Sequence, residues 1–337
     1  MNKILKSTKS KPLTSKIKSF LFTKRTLILV LIAICIIFAS DPKTYANSCL
    51  NAISIWSVNV LPVLFPFFVL TSIIVMLSDF KSNKVDKFFS KIYKTNSGSS
   101  TIYFLSILSG YPVGAKLVTE FFNIGAIDKR QAENMLSFCS VSGPMFILGT
   151  VGVCMFKSMK FGLIVLFSNI IASLLNGILY CKNSDKSNIE FKRDKNNNIL
   201  SKAVYDSMIN VLMVGAYICL SFLVIEMMEN LNILSFISHT INMVSFNLIP
   251  QDIVKPVIVG IIEITRGSLE LSTLGLSNKI SAMLVSGIIG FGGLSVFMQS
   301  INFFDHLQIK KSRIFKQKLT QGIFAFIVAF IISFFIY

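Results

Sequence analysis

The sequence predicts an all-α polytopic membrane protein with about seven transmembrane helices and two re-entrant hairpins, arranged as an inverted repeat with broken helices. Of the 337 residues, 53% are hydrophobic and only 15% are charged, and the mean hydropathy is +0.68. A soluble protein of this length has too little interior to bury so much apolar sequence. The apolar residues also fall into separate runs, and basic segments lie between the runs.

The net charge of +17 would suggest a nucleic-acid partner in a soluble protein. Here the basic residues lie in the gaps between apolar runs, which is typical of cytoplasmic loops that face anionic lipid head groups. The six cysteines show no CxxC spacing and the two histidines lie far apart, so we expect no disulfide framework, metal site or cofactor. No Walker phosphate loop, Ser–His pair or HExxH motif is present, so we expect neither ATP hydrolysis nor enzymatic activity.

The chain begins with a basic segment, residues 1–25, which carries eight Lys and Arg and no acid and therefore predicts a cytoplasmic tail. Residues 26–52 are predicted to form a first transmembrane helix and an outer loop. The apolar run at 26–40 is shorter than the roughly 20 residues that cross a bilayer. A cleavable signal peptide with a processing site near Tyr45 and Ala46 is the alternative, but the long basic segment favours a retained helix.

A first repeat is predicted over residues 53–180. Its span at 54–78 contains Pro62 and Pro66, which should kink it, and a polar loop with five lysines follows at 79–100. The remaining predicted elements are a hairpin at 101–126 divided by SGYPVGAK, a span at 132–156 broken at Ser142, Gly143 and Pro144, and a span at 161–180. Each arm of the hairpin is too short to cross the bilayer, so the chain must turn back inside it.

Residues 181–202 are hydrophilic and basic and predict a cytoplasmic linker before a second repeat at 203–337. The predicted elements are a span at 203–228, an interfacial amphipathic segment at 229–252, a hairpin at 253–276 divided by EITRG, a broken span at 279–302 and a span at 319–337. The broken span contains GFGGLS, whose glycines loosen the helix. Both halves thus have the order span, hairpin, broken span, span.

The distribution of basic residues supports a topology with the amino terminus inside. In that topology 26 of the 33 Lys and Arg lie in cytoplasmic segments, five lie outside and two lie in the hairpins. The two hairpins then enter the membrane from opposite faces, as in transporters that open alternately to either side of a midplane site. The alternative is that the glycines only allow close helix packing, but the interruptions recur at matching places in both halves.

Five motifs carry a resemblance to a known family. They are LPVLFPFF (61–68), SGYPVGAK (109–116), SFCSVSGPMFILGTVG (137–152), EITRG (263–267) and GFGGLSVFMQ (290–299). From about Ser54 to its carboxyl end the chain resembles the YlbJ family of sporulation integral membrane proteins, whose core belongs to the wider nucleoside-recognition or Gate group. The basic tail is not part of this resemblance.

The resemblance implies transport of dipicolinic acid across the outer forespore membrane of spore-forming bacteria, with the amino terminus in the mother-cell cytoplasm. It implies dipicolinate and the lipid bilayer as partners, and is compatible with a homo-oligomer or with accessory sporulation proteins. Two alternatives stay open, namely a nucleoside transporter of the same fold and a membrane scaffold for spore assembly that transports nothing. The coupling ion also stays open, with Glu120, Glu263 and Glu270 as candidate proton carriers.

A site for dipicolinate, a flat ring with two carboxylates, needs positive potential. Half-helix N-termini supply part of it, and Lys116 and Arg266 are the basic residues predicted inside membrane segments, with Glu120 and Glu263 as partners. These ions could instead form structural salt bridges. Tyr111, Phe138 and Phe291 are candidates for a planar wall. The predicted substrate-binding residues are Gly110, Tyr111, Lys116, Ser142, Gly143, Pro144, Glu263, Arg266, Gly292, Gly293, Ser295 and Gln299.

Overall fold

The structure is a computed structural model that describes residues 24–77, 84–95, 98–123, 125, 127–181 and 198–337. The predicted basic tail up to residue 23 and residues 182–197 of the predicted linker lie outside the described residues. Every regular element in the described ranges is helical, which confirms the all-α class. Helix α1 (Lys24–Ser40) belongs to a unit that ends at Asn47, and Ser48–Tyr337 forms the compact unit that contains the candidate site.

Among the described residues, five helical stretches are long and apolar enough to cross a membrane, which confirms a multi-pass membrane protein. They are Pro42–Ile74, Met159–Tyr180, Ile199–Asn230, Asn278–Phe304 and Lys311–Ile336. The two other predicted crossings, at 26–40 and 132–156, are built from shorter helices. In the second of these the interruption itself divides the span.

The first half runs from the second helix to the eighth. Its elements are α2 (Pro42–Ile55), a π-helical turn (Trp56–Val60), α3 (Leu61–Leu77), α4 (Lys84–Tyr93), α5 (Ser99–Ser109), α6 (Val113–Asn123), α7 (Lys129–Cys139), a π-helical segment (Phe146–Met155) and α8 (Met159–Tyr180). The predicted distortion near Pro62 and Pro66 takes the form of the π-helical turn just before the first proline. Such turns accommodate local breaks in the helical hydrogen-bond pattern.

The second half has the same order of elements as the first. Its elements are α9 (Ile199–Asn230), α10 (Ile233–Val244), α11 (Gln251–Ile262), α12 (Ile264–Thr273), α13 (Asn278–Phe291), α14 (Gly293–Phe304), a short 3₁₀ turn (Asp305–Leu307) and α15 (Lys311–Ile336). The predicted interfacial segment is α10. The pairs α5/α6 and α11/α12 are the predicted hairpins, and α13/α14 is the second broken span.

The predicted polar loop at 79–100 is a correction, because it contains the amphipathic helix α4. Buried Asp86 of α4 accepts hydrogen bonds from the backbone nitrogens of Gly98 and Ser100, at 2.7 and 3.2 Å. A carboxylate at the start of α5 satisfies amides that have no partner within the helix and complements the helix dipole. Helix α4 therefore occupies in the first half the place that α10 occupies in the second, so the repeat is more complete than predicted.

Close packing of small residues holds the broken spans against the last span of each half. In the first half, a Cβ on Gly152 would lie 2.9 Å from the Cα of Gly162 in α8. In the second half, a Cβ on Gly322 in α15 would lie 2.9 Å from the carbonyl oxygen of Gly287 in α13. Small residues let membrane helices approach backbone to backbone, and here they do so after the break in the first half and before the break in the second half.

Buried hydrogen bonds then join the two halves. The Asn176 side-chain amide in α8 donates to the carbonyl oxygens of Ser137 and Gln317, at 2.7 and 3.0 Å. In return, the Asn176 carbonyl accepts a hydrogen bond from the Thr320 hydroxyl at 2.7 Å. One amide thus ties α7, α8 and α15 together next to the first broken span.

Candidate functional site

The tip of the first hairpin lies between the end of α5 at Ser109 and the start of α6 at Val113. Gly110 has a φ of +71°, and a Cβ there would lie 2.7 Å from the Cα of Gly143 and even closer to its nitrogen. Only glycine fits such a backbone approach at a positive φ. The tip therefore docks directly on the first broken span.

The first broken span is interrupted where the sequence predicts it. Helix α7 ends at Cys139, residues 140–143 are not helical, and the helix resumes at Pro144. Proline suits the first position of a helix because the amide hydrogen it lacks would have no partner within the helix. The predicted break at Ser142, Gly143 and Pro144 is thus confirmed.

The tip of the second hairpin is a single extended residue, Glu263, between α11 and α12. Its carboxylate accepts a hydrogen bond from the backbone nitrogen of Arg266 at 2.7 Å and so caps α12. The side chain is 1% exposed. The second hairpin therefore brings a buried carboxylate to its tip, and the first brings none.

The second broken span is interrupted at Gly292 and Gly293, whose φ values are +86° and +69°. A Cβ on Gly293 would lie 3.1 Å from a side-chain carbon of Ile264 and 3.3 Å from the carbonyl oxygen of Ile262. The second tip therefore docks on the second break, as the first tip docks on the first break. The prediction of a half-helix end at Gly292–Ser295 is confirmed.

All four interrupted segments line one cavity of about 40 Å³, and the second break itself, at Gly292 and Gly293, lies beside the cavity. The first hairpin contributes Ser109, Gly110 and Tyr111, and the first broken span contributes Ser142 and Gly143. The second hairpin contributes Glu263, Ile264 and Thr265, and the second broken span contributes Ser295, Val296 and Gln299. The structure thus brings together sequence segments that lie up to about 190 residues apart.

The cavity has an apolar side and a polar side. Val214 and Ile218 of α9 form part of the apolar side. On the polar side, the side-chain oxygens of Ser109, Ser295 and Gln299 are buried and have no hydrogen-bond partner. Buried polar atoms are rarely left without partners, so these three oxygens are available to a ligand.

The N-terminal ends of four helical segments meet at this cavity. Ser109 to Tyr111 precede α6, Ser142 and Gly143 precede Pro144, Glu263 precedes α12, and Ser295 lies in the first turn of α14. Helix N-termini carry unpaired amides and a partial positive charge, which favours anions. The carboxylate of Glu263 offsets part of that charge at the start of α12.

A search of curated proteins finds the sporulation integral membrane protein YlbJ of Bacillus subtilis strain 168. The two sequences are 25% identical over 313 residues, which cover 85% of this chain and 77% of the Bacillus protein. This chain is therefore similar to the YlbJ protein along most of both sequences. No family model matches the chain, and no solved structure matches it. The similarity supports a membrane role in sporulation.

Most of the predicted substrate-binding residues lie at the cavity. Gly110, Tyr111, Ser142, Gly143, Glu263, Ser295 and Gln299 line it. Pro144 and the glycines at 292 and 293 do not line it but form the breaks beside it. No comparison tests their role in binding, so this role stays a prediction.

Lys116 is a correction, because the structure places it away from the cavity. It lies in α6, where its ammonium is 3.8 Å from the carboxylate of Glu120 one turn later. The side chains are 26% and 51% exposed. The predicted partner is confirmed, but the lysine does not line the cavity.

Arg266 is a second correction. Its guanidinium lies 2.8 Å from Glu270, 3.0 Å from Glu229 and 3.5 Å from Glu226. Lys255 lies 2.9 Å from Glu229. We call Glu226, Glu229, Lys255, Arg266 and Glu270 the acidic cluster. The Arg266 side chain therefore points to three carboxylates and away from the cavity, and Glu263 contacts its backbone nitrogen.

Two of the three predicted aromatic wall residues also lie elsewhere. Phe138 stacks on Tyr93 with ring centroids 4.7 Å apart, and Phe291 packs edge-on against Phe315 at 5.7 Å. Both rings pack within the protein, so of the three predicted wall residues only Tyr111 lines the cavity.

The sequence analysis missed Lys318, which comes directly before the predicted span at 319–337. It lies two turns inside α15, is 3% exposed, and its ammonium contacts the hydroxyl of Tyr111. A signal was present in the sequence, because Gln317, Lys318 and Gln321 share one face of a helix that continues into the apolar run. All three are buried.

Proposed function

We propose that this protein moves dipicolinate, a small planar dicarboxylate, across a membrane of the sporulating cell. The observation that carries the proposal is that both hairpin tips, the first break and the helix that follows the second break line one cavity. Broken helices that meet between two repeats are the usual substrate site of secondary transporters. The family resemblance supplies the substrate, and the outer forespore membrane is the proposed location.

The described conformation is a closed one in this proposal. A cavity of about 40 Å³ is far smaller than the roughly 300–1,000 Å³ of pockets that hold small molecules. Transport therefore requires the hairpin tips to move away from the breaks. The glycine contacts at both tips are packing contacts without hydrogen-bonded side chains, which makes them suitable places for such a movement.

Dipicolinate would find several favourable groups once the cavity opens. The helix amides near Ser142 and Ser295 favour a carboxylate, and the unpartnered oxygens of Ser109 and Ser295 belong to hydroxyls that can donate to one. The apolar side at Val214 and Ile218 suits the face of the ring. The carboxylate of Glu263 opposes a dianion.

The buried carboxylate of Glu263 favours a second candidate function, nucleoside transport. A buried carboxylate with an apolar side opposite it can accept hydrogen bonds from ribose hydroxyls. A nucleoside is neutral, so it would meet no repulsion from this group. The two candidates thus differ in how the charge at Glu263 acts on the substrate.

The test is uptake of labelled dipicolinate into vesicles that contain only this protein, with proton and sodium gradients imposed in turn. The matched control is the Ser295→Leu variant, which fills the cavity, in vesicles with the same amount of folded protein. We expect uptake by the natural sequence, none by the variant and no inhibition by excess uridine. Uptake of uridine but not dipicolinate would favour the second candidate.

The scaffold alternative makes a different prediction in spores. If the protein only organises the membrane, the Ser295→Leu variant should support sporulation as well as the natural sequence does, whereas deletion of the whole protein abolishes it. Absence of uptake by well-folded protein under both gradients, together with a functional variant in spores, would overturn the transport proposal.

A further inference from the structure

Lys318 is a buried cation whose contacts are all neutral. Its ammonium donates to the hydroxyl of Tyr111 at 2.6 Å, to the carbonyl oxygen of Ser140 at 2.6 Å and to the side-chain oxygen of Gln321 at 3.0 Å. These three bonds use all three donors of a lysine. The ammonium also lies 4.5 Å from the centre of the Tyr111 ring.

The absence of an acid distinguishes Lys318 from other basic residues of the core. Arg266 has three carboxylate partners and Arg313 has Glu133 at 2.8 Å. Within the described ranges, no carboxylate lies within ion-pair distance of Lys318. Burying an ammonium without a counter-charge is costly, and intramembrane charges without a structural partner usually serve function.

The position of Lys318 connects it to both halves of the candidate site. Ser140 belongs to the first break, and Tyr111 belongs to the first hairpin tip. At the second break, a Cβ on Gly292 would lie 3.3 Å from the Tyr111 phenol group and 3.5 Å from a side-chain carbon of Lys318. The missing side chain of Gly292 thus makes room for both groups.

Tyr111 is the link between the ammonium and the cavity. Its side chain lines the cavity and its hydroxyl accepts the hydrogen bond from Lys318. Lys318 itself does not line the cavity. If the first hairpin tip moves, Tyr111 moves with it, and the ammonium then gains access to the widened cavity and loses one acceptor.

We propose that Lys318 binds a carboxylate of the transported anion and that Tyr111 covers it in the closed conformation. The carboxylate replaces the Tyr111 hydroxyl as an acceptor of the lysine, and a hydrogen bond between two charged groups is stronger than the one it replaces. This inference rests on the proposed function. It also supplies the positive charge that Lys116 and Arg266 were predicted to supply.

The experiment compares two ligands that differ in charge but share one ring. Dipicolinate carries two carboxylates, and its diamide is neutral and similar in shape. Binding of both is measured by calorimetry on purified protein, and uptake of labelled dipicolinate is measured in vesicles. The variants are Lys318→Met and Lys318→Arg, with Lys316→Met as the matched control, because Lys316 lies on the same helix and is exposed.

We expect Lys318→Met to weaken dipicolinate binding by about tenfold to a hundredfold, the range for one lost charged hydrogen bond, and to leave the diamide nearly unchanged. Lys318→Arg should restore part of the loss because it restores the charge. Lys316→Met should bind like the natural sequence. Tyr111→Phe, which removes the competing acceptor, should bind dipicolinate a few-fold more tightly.

A purely structural role for Lys318 predicts other results. Both ligands would then weaken together, the melting temperature would fall, and Tyr111→Phe would not gain affinity; these results would overturn the inference. If Lys318→Met does not fold, Lys318→Arg and Tyr111→Phe decide the question by the same two-ligand comparison. Unchanged dipicolinate binding in Lys318→Met, with uptake by the natural sequence intact, overturns this inference alone. Failure of the natural sequence to bind or carry dipicolinate overturns the proposed function and this inference together.

Discussion

The tip of the first hairpin has no charged side chain, whereas the tip of the second consists of Glu263, with Arg266 one turn later. Both tips dock on a broken span through glycine, with Gly110 against Gly143 in the first half and Gly293 against Ile262 and Ile264 in the second. The backbone packing is therefore repeated and the charges are not. In the proposed transport function, the repeated backbone packing allows both tips to open, and the difference in charge between the tips contributes to recognition of the substrate.

Two cations of the second half differ in their neighbours. The positive charge of Arg266 is matched by the carboxylates of the acidic cluster, whereas the positive charge of Lys318 meets only neutral oxygens among the described residues. This difference is the reason why we propose an anion-binding role for Lys318 and a structural role for Arg266.

The largest effect is expected where the first tip meets the first break. Gly110→Ala places a methyl group against the backbone of Gly143 at a φ of +71°, so we expect a loss of about 3 kcal/mol or more. The measurement is the melting temperature and the yield of monodisperse protein in detergent. Gly275→Ala is the control, since Gly275 has a φ of +65° but no atom within 4 Å of the added carbon, and it should lose only about 1 kcal/mol. Equal losses would contradict the tight docking of the tip.

A smaller effect is expected in the acidic cluster. Arg266→Ala leaves three carboxylates without their main partner, and because the groups are partly exposed we expect a loss of about 2 kcal/mol. Lys255→Ala, which removes an outer member of the cluster, should lose less than half as much. Thermal unfolding measures both, and dipicolinate affinity should not change. If Arg266→Ala abolished uptake and left the melting temperature unchanged, Arg266 would belong to the substrate site.

The charge at the second tip is tested by Glu263→Gln. The amide oxygen of the variant can still cap α12, but the negative charge in the cavity is gone. We therefore expect the KM for dipicolinate to fall by about fivefold, which corresponds to the loss of roughly 1 kcal/mol of repulsion. Glu270→Gln removes a charge outside the cavity and should leave the KM unchanged. Vesicle uptake measures both variants. A fall in uridine uptake in Glu263→Gln would instead favour the nucleoside candidate.

The smallest effect is expected at Lys116. It pairs with Glu120 at 3.8 Å on an exposed face, and such pairs contribute about 0.5 kcal/mol or less. Lys116→Met should therefore shift the melting temperature by about 1 °C or less and leave uptake unchanged. A strong loss of uptake would mean that the first hairpin presents this lysine to the substrate in another conformation.

The elements of the fold were predictable because a membrane helix can be recognised from its apolar composition and its length. The hairpins, both breaks and the two repeats follow from apolar runs, from their lengths and from glycine and proline within them. Helix α4 was missed because its lysines resemble a cytoplasmic loop. The hydrogen bonds of Asp86 to the start of α5, and the packing of Phe89 on Tyr103 with ring centroids 5.4 Å apart, show that it packs on the hairpin.

The site was predictable in its backbone and not in its charges. Local sequence places Ser142, Glu263 and Gly292 at breaks, and any structure with two docked hairpins brings such breaks together. Which way a long side chain points depends on neighbours that are distant in sequence. Arg266 turns toward Glu226 and Glu229 of α9, and Lys318 turns toward Ser140 and Tyr111, about 180 and 207 residues away.

By itself, the sequence determined that this chain lies in a membrane, where it is interrupted and that it is repeated, because the bilayer imposes those constraints on every segment separately. The tertiary structure alone decided that the buried Lys318 meets no carboxylate among the described residues, and that all four interrupted segments line one cavity. The physical reason is that electrostatic pairing is set by distances across the fold, and no local pattern of residues contains those distances.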